Sequence, residues 1–267
     1  MGKVIKNLKD SKVSIRCISE QEDIRKCMND ILYFAKKCMI LTDTGLKPFK
    51  PYEWQEKLLR SLGETNSANK RRDIIAAARQ TGKTTVIAIF FLWYAMFHCD
   101  QNLWIFANKH DMAKEILHRI REMYANLPKH LRFELSNNSK LMIQFKENRS
   151  RICCSALSTC FIHCRSLDYI WIDEAAFCNR EGMDEKFMAC MMPVYSATKT
   201  GMIFTSTPNG TANGFYHFWE EAPENGFNKL KVTWRDVPGH DDEWARSQIL
   251  YNGGPSFKRE YECSFED

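Results

Sequence analysis

Long apolar runs are missing from this chain. None reaches the ~18 residues that a bilayer span needs, and the longest, Val86 to Phe97, reads as a buried helix. The start, Met1-Gly2-Lys3-Val4-Ile5-Lys6, holds no secretory apolar segment. Lysine at position six also removes the Ser or Thr that an N-myristoylation signal requires. Membrane insertion, export and lipid anchoring are therefore not expected. Charge of one sign is equally scarce. The 38 basic and 33 acidic residues leave +5, compatible with a polyanionic partner without demanding one. Cysteines are plentiful at 11, but odd in number and scattered; without an export signal they indicate a reducing cytoplasm and buried thiols. The tightest group, Cys153, Cys154, Cys160, His163 and Cys164, lacks the separated C-x₂-C pairs of zinc sites. Repeats and low-complexity tracts are absent too. What remains is 267 residues, 44% hydrophobic and 27% charged. That suffices for one large α/β domain or two modest ones, with an ample core.

The strongest signal present is Ile74-Ile75-Ala76-Ala77-Ala78-Arg79-Gln80-Thr81-Gly82-Lys83-Thr84-Thr85. A short apolar run, the expected strand, breaks at Arg79, and an apolar segment of helix length follows Thr85. Strand, tight turn and helix with Gly-Lys-Thr at the bend is the phosphate-loop arrangement. Backbone N–H groups at such a turn and helix N-terminus attract phosphate oxygens. Lys83 would reach the β- and γ-phosphates of ATP, and the Thr84 hydroxyl would sit on Mg²⁺. The generic pattern has Gly five residues before Gly82, where this chain has Ala77. Arg79 places a cation inside the loop, from where it could point at the γ-phosphate. The plain alternative is an ordinary strand-to-helix turn with a solvated lysine.

Residues 1 to about 45 read as helical and amphipathic, especially Glu22 to Met39, and carry no recognisable chemistry. Pro51 then opens a helix with Tyr52, Trp54 and Gln55 in its first turns. The Gln55 amide offers a donor and an acceptor, which suits the edge of adenine; an exposed glutamine beside a packed aromatic is the plainer reading. Leu103 to Asn108 reads as a second buried strand, followed by a helix from about Met112 to Leu127 with Asp111 as its cap. Strands alternating with helices indicate βαβ units and a mainly parallel sheet. Two alternating runs, Lys140 to Lys146 and Arg151 to Ser155, flank a polar turn and predict a hairpin or meander beside that sheet. Their charges (Lys140, Lys146, Arg149, Arg151) form either a basic face toward nucleic acid or, more simply, a solvated edge.

A second decisive stretch is Leu167-Asp168-Tyr169-Ile170-Trp171-Ile172-Asp173-Glu174-Ala175-Ala176-Phe177. An apolar strand ends in two adjacent carboxylates, where ligands of open α/β sheets bind. Asp173 is placed to hold Mg²⁺. Glu174 would orient or deprotonate the water that attacks the γ-phosphate. A further strand, Gly201 to Ser206, ends in the hydroxyls of Thr205, Ser206 and Thr207 before Pro208-Asn209-Gly210. Such hydroxyls can sense the γ-phosphate and pass its state on; a plain strand and turn is the alternative.

Taken together, these residues resemble the ATPase part of the large terminase subunit of tailed bacteriophages, in its T4-like group, over about residues 48 to 267. The carriers are Trp54-Gln55, Ala78 to Thr85 with its Arg-Gln-x-Gly-Lys-Thr-Thr form, Tyr169 to Phe177, and Thr205-Ser206-Thr207-Pro208-Asn209-Gly210 with Phe215-Tyr216. The missing early glycine is usual in that family. The resemblance implies a P-loop NTPase of the ASCE/RecA-like kind, its mainly parallel sheet flanked by helices, with a small helical lid. Residues 1–45 would supply the N-terminal lid segment, 46–233 the ATPase core, and 234–267 the rest of the lid and a linker. Ala78, Arg79, Gln80, Thr81, Gly82, Lys83, Thr84 and Thr85 would bind the nucleotide, with Gln55 reading adenine. Thr84 and Asp173 would hold Mg²⁺, Glu174 would be the catalytic carboxylate, and Thr205, Ser206 and Thr207 would couple hydrolysis to movement.

In that family an arginine before the acidic strand acts on a neighbouring subunit's nucleotide. The nearest match is Arg165, within Arg-Ser rather than Arg-Gly, with Arg149 and Arg151 as other candidates. A finger of this sort is worth ~10³–10⁵ in rate, so an unassembled subunit should be a poor ATPase. The implied partners are double-stranded DNA, the portal protein, the small terminase subunit and further copies of the chain. Those copies would form a ring on the procapsid, in the host cell cytoplasm, from a subunit monomeric in isolation. Family members continue into a metal-binding RNase H-like nuclease. This chain stops at Ser264-Phe265-Glu266-Asp267, about where that domain would begin, so ATP hydrolysis without DNA cleavage is expected.

Two other readings stand beside this one. A superfamily 2 helicase lobe would share the Gln before the phosphate loop, the Asp-Glu-Ala-Ala box and Ser196-Ala197-Thr198, but the residues after Asn179 are too few for its second lobe. A basic DNA-binding module with a degenerate nucleotide site would have little use for an intact Lys83, Asp173 and Glu174.

Overall fold

A computed structural model of the chain describes residues 18–65, 70–157, 167–178 and 199–266. Helices α1 (Ile18–Asn29) and α2 (Ile31–Ala35) are separated by Asp30, whose carboxylate caps α2 by accepting from the N–H groups of Leu32 and Tyr33. The expected helix does not run on to Met39. Strands β1 (Met39–Thr42) and β2 (Gly45–Pro48) form a hairpin instead, its two-residue turn completed by Gly45 at φ +98°. Helix α3 (Glu53–Gly63) leads to β3 (Arg72–Ala77), α4 (Lys83–Phe97), β4 (Asn102–Ala107) and α5 (His110–Ala125). Asp111 lies in the first turn of α5 rather than at its cap, which is Lys109; there its charge still suits the helix N-terminus.

Strands β5 (Leu135–Ser139), β6 (Met142–Phe145) and β7 (Arg151–Ala156) form the expected meander. Then come β8 (Tyr169–Asp173), β9 (Gly201–Ser206), α6 (Gly214–Glu220), β10 (Asn228–Val232), α7 (Asp242–Asn252) and α8 (Gly254–Tyr261). Among the described residues, eight strands make one sheet in the order β10-β3-β9-β8-β4-β7-β6-β5. Neighbours are parallel from β10 to β7, and the last two pairings are antiparallel. With helices on both faces, this is the P-loop fold, with β9 inserted between the phosphate-loop strand β3 and the acidic strand β8.

The period-two alternation of the central strands divides two cores. Ile75 and Ala77, Leu103 and Ile105, Tyr169 and Trp171, and Ile203 face the side covered by α4 and α5. Ile74 and Ala76, Trp104 and Phe106, Ile170 and Ile172, and Met202 and Phe204 face the side covered by α6. Helix α4 is apolar all round and buried from Val86 to Phe97, so it needs cover on its outer side too. The N-terminal helices supply that cover through Ile24, Cys27, Ile31 and Phe34, and the Trp93 indole donates to the Cys27 carbonyl at 2.8 Å. Each large side chain buried this way contributes about 1.5–3 kcal/mol. Trp234, Ala245 and Phe257 form a small separate cluster that joins α7 and α8. One position is set by close approach. A Cβ at Gly201 would meet the Tyr169 ring at 2.2 Å, so any side chain there would displace the aromatic packing beneath the acidic strand.

Candidate functional site

The phosphate loop is shaped by backbone that few residues adopt. Gln80 has φ +60° and Gly82 φ +81°, and Gly82 caps α4; left-handed residues before a helix N-terminus are the backbone from which anion-binding nests are built. The loop is braced from within and from the side. Thr81 is fully buried and its hydroxyl donates to the Ala78 carbonyl at 2.9 Å. The Thr81 carbonyl accepts from the Gln55 amide at 2.9 Å. Gln55 is 3% exposed, and its own carbonyl accepts from the Tyr52 N–H at 2.9 Å. The plainer alternative of an exposed glutamine is therefore ruled out: α3 carries Gln55 into the flank of the loop, and a Cβ on Gly82 would lie 2.7 Å from its nitrogen.

Parallel pairing brings the ends of β3, β9 and β8 to one edge of the sheet. Lys83 and Thr84, in the first turn of α4, meet the acidic pair there. Lys83 Nζ lies 2.9 Å from Glu174 Oε1. The Thr84 hydroxyl donates to Asp173 Oδ2 at 3.3 Å, across 89 residues of sequence. Thr85 follows in the same first turn of α4. Asp173 is 5% exposed. Burial, and then the adjacent Glu174 carboxylate, push its carboxyl up, while Lys83 and the Thr205 hydroxyl pull it down. Glu174 has φ +52°, a cost a non-glycine residue accepts where its side chain must be aimed. Glu174 meets Lys83, while Asp173 meets Thr84 and Thr205.

The hydroxyls at the end of β9 divide between the two faces of the sheet. Thr205, opposite Asp173 in the register, donates to Asp173 Oδ1 at 2.6 Å. Ser206 faces the other way and accepts from the Ala176 N–H at 3.1 Å, while the Asn209 amide donates to the Ala176 carbonyl at 3.2 Å. The turn that follows Glu174 is thus held on both its polar groups. Thr207 is buried, 2% exposed.

Arg79 does not point into the loop. Its guanidinium pairs with Glu260 of α8, and its N–H donates to the Glu260 carbonyl at 3.0 Å. The Ala78 N–H donates to the Val232 carbonyl at 2.8 Å. The loop is therefore fastened to the C-terminal elements, with a partner 181 residues away that no local pattern announces.

Arg165 and most of the cysteine cluster (Cys160, His163, Cys164) lie outside the described residues, as does Ser196-Ala197-Thr198. Among the described residues no group of His, Cys, Asp and Glu is set to hold a metal ion by itself. The charges of the meander are mostly matched. Lys146 meets Glu134 at 2.9 Å, Arg149 meets Asp100 at 2.6 Å, and Arg151 donates to the Asn102 side chain at 2.9 Å. A solvated edge describes them better than a basic face. No described helix is long and apolar enough to cross a membrane.

Solved structures share this architecture. The large terminase ATPase domain of Thermus phage P74-26 superposes with TM-score 0.61 at 20% identity, over 81% of this chain and 94% of that one. The large terminase of a thermophilic bacteriophage in complex with ATP-γ-S gives 0.63 at 15%, over 81% and 53%. The HK97 bacteriophage large terminase gives 0.66 at 16%, over 88% and 54%. The chain spans about half the length of these last two proteins. At such identities the likeness is one of fold. The sequence itself, from residue 74 to 267, matches the model of the terminase large subunit, T4likevirus-type, N-terminal region. The chain therefore belongs to the T4-type family of terminase large subunits and carries their N-terminal region.

Proposed function

We propose that this chain is the ATPase motor domain of a viral large terminase, using ATP hydrolysis to drive double-stranded DNA into a procapsid. One observation carries the reading: the loop bearing Lys83 and Thr84 and the strand bearing Asp173 and Glu174 meet side chain to side chain. The Thr84 hydroxyl and the Asp173 carboxylate are hard oxygen donors 3.3 Å apart, a pair that fits Mg²⁺. Those two residues would hold the ion, which when bound neutralises charge on the phosphate oxygens.

The loop N–H groups and Lys83 bind the β- and γ-phosphates. Lys83 is matched to Glu174, so a triphosphate competes for its charge and leaves the Glu174 carboxylate to accept a proton. Glu174 takes that proton from a water whose oxygen bonds to the γ-phosphorus as the bond to the β-phosphate oxygen breaks. ADP and phosphate leave. Arg79 reaches the γ-phosphate only by releasing Glu260, so phosphate binding and the position of α8 are linked. Thr205, Ser206 and Thr207 connect the acidic strand to the segment that follows β9, and Gln55 holds the loop while presenting its remaining polar valences to the base. A second copy would complete the site with an arginine, for which Arg165 remains the candidate. Ring formation on a portal protein, a small terminase partner and action in the host cytoplasm are proposed with it, family membership being their support.

Steady-state ATP turnover of Glu174→Gln tests this reading, alongside equilibrium binding of a fluorescent ATP analogue. Loss of the general base should lower turnover ~10²–10⁴-fold while nucleotide binding persists. Unchanged turnover would remove Glu174, and with it the hydrolytic mechanism.

A further inference from the structure

Trp171 lies two residues before Asp173 on the same face of β8, fully buried, with its ring centroid 5.5 Å from that of Phe91 on α4. Its indole N–H donates to the Thr205 hydroxyl oxygen at 2.8 Å. An indole nitrogen can only donate, so at this contact Thr205 must accept. The single hydroxyl proton of Thr205 is then left for one of two acceptors. Asp173 Oδ1 stands at 2.6 Å and the Ile172 carbonyl at 3.4 Å. A carboxylate at the shorter distance is the stronger acceptor. The chain of donors therefore runs in one direction, from indole to hydroxyl to carboxylate. It occupies Oδ1 and leaves Oδ2 on the side of Thr84.

From this we infer that Trp171 is a positioning residue for the metal-binding carboxylate. Acting through Thr205, its indole N–H fixes which oxygen of Asp173 is presented beside Thr84. The inference rests on the proposed role of Asp173 as a Mg²⁺ ligand. Phenylalanine keeps an aromatic ring against Phe91 but has no N–H; the smaller ring costs stability in either background, whereas a loss of metal affinity that depends on Thr205 reports the N–H. Outer partners that orient a ligand typically govern ~10–100-fold in metal affinity. One step further out, we expect about 3–10-fold.

The test is Mn²⁺ binding in the presence of ADP, followed by loss of the free-ion signal in electron paramagnetic resonance, with metal-free ADP binding as control. Trp171→Phe should weaken Mn²⁺ binding about 3–10-fold and leave metal-free ADP binding unchanged. In a Thr205→Val background the same substitution should add nothing, because the relay is already cut. Equal losses in both backgrounds, or no loss at all, would overturn the inference. Asp173→Asn separates the two levels. If it abolishes Mn²⁺ binding while Trp171→Phe has no effect, only the relay fails; if it has no effect either, the metal-site reading fails as well. Should Trp171→Phe not fold, indole-¹⁵N-labelled protein keeps the question open to experiment. The Trp171 N–H resonance should shift when Mg²⁺-ADP is added to the parent and stay put in Thr205→Val, whereas no shift in the parent would contradict the relay.

Discussion

At Asn148 one side-chain amide nitrogen serves three carbonyl oxygens, those of Ala95, Met96 and His98, at 2.7, 2.8 and 3.0 Å. These are the orphan acceptors at the C-terminal end of α4. The Asn148 side-chain oxygen in turn accepts from the Ser150 N–H at 3.0 Å. Asn148→Leu keeps the branched outline and strips the donors in a buried place, so unfolding free energy in urea should fall by about 2–3 kcal/mol; a change below about 0.5 kcal/mol would deny the cap any weight. Single residues were legible in the sequence only where a motif assigned them. Lys83, Thr84, Asp173 and Glu174 were named by spacing, and they meet. Glu260 was not, because nothing local to an amphipathic helix marks one glutamate as the partner of Arg79. For Gln55 the plainer alternative to an adenine reader was an exposed side chain, because helix-start polar residues usually are exposed; the brace on Thr81 depends on how α3 docks.

At the scale of elements, α4 is under two constraints, one at each end. Its N-terminus requires left-handed backbone at Gly82 beside the Gln55 amide. Gly82→Ala should therefore cost about 1–2 kcal/mol of stability and weaken ATP-analogue binding to the fraction that remains folded by roughly tenfold. Parent-like affinity would show that the loop does not need this turn. Its C-terminus carries His98, stacked on Tyr94 with ring centroids 4.0 Å apart. Burial lowers this imidazole from 6.5 to about 4. A histidine depressed in the fold contributes stability above its unfolded value, lost as pH falls toward the folded one. Between pH 7 and 5 the parent should lose about 2 kcal/mol more than His98→Phe, measured by urea unfolding. Parallel curves would mean that His98 titrates normally.

The apolar runs that made α4 and the βαβ units readable, and the alternation that marked the β6–β7 hairpin, are local, and so they survived folding. The helix expected up to Met39 did not. Met39 to Thr42 carries no strong helix signal of its own, and a two-residue turn before Gly45 let it pair with β2 instead. The lateral order of strands was never legible, since alternation shows which face a residue takes but not which strand lies beside it.

Over the whole molecule, chemistry gathers at one edge of the sheet while its supports come from far along the chain. The N-terminal helices are anchored to the core by a polar knot as well as by apolar contact. Asp23 accepts from Tyr33 at 2.6 Å and Lys37 at 2.8 Å, and pairs with His130 at 2.7 Å. Burial works against the Asp23 carboxylate, but these partners outweigh it and hold its carboxyl well below the usual range. That stability is present above the ordinary aspartate value and is lost as pH falls below it. Amide hydrogen exchange in α1 should thus accelerate under acid more in the parent than in Asp23→Asn, and identical pH profiles would dismiss the knot.

The most direct measurement of the motor site is anomalous diffraction from crystals grown with Mn²⁺ and a non-hydrolysable ATP analogue. The metal peak should fall between the Thr84 hydroxyl and Asp173, with the γ-phosphate in reach of Lys83 and Glu174. A triphosphate seated away from that lysine and those carboxylates would contradict the proposed function outright.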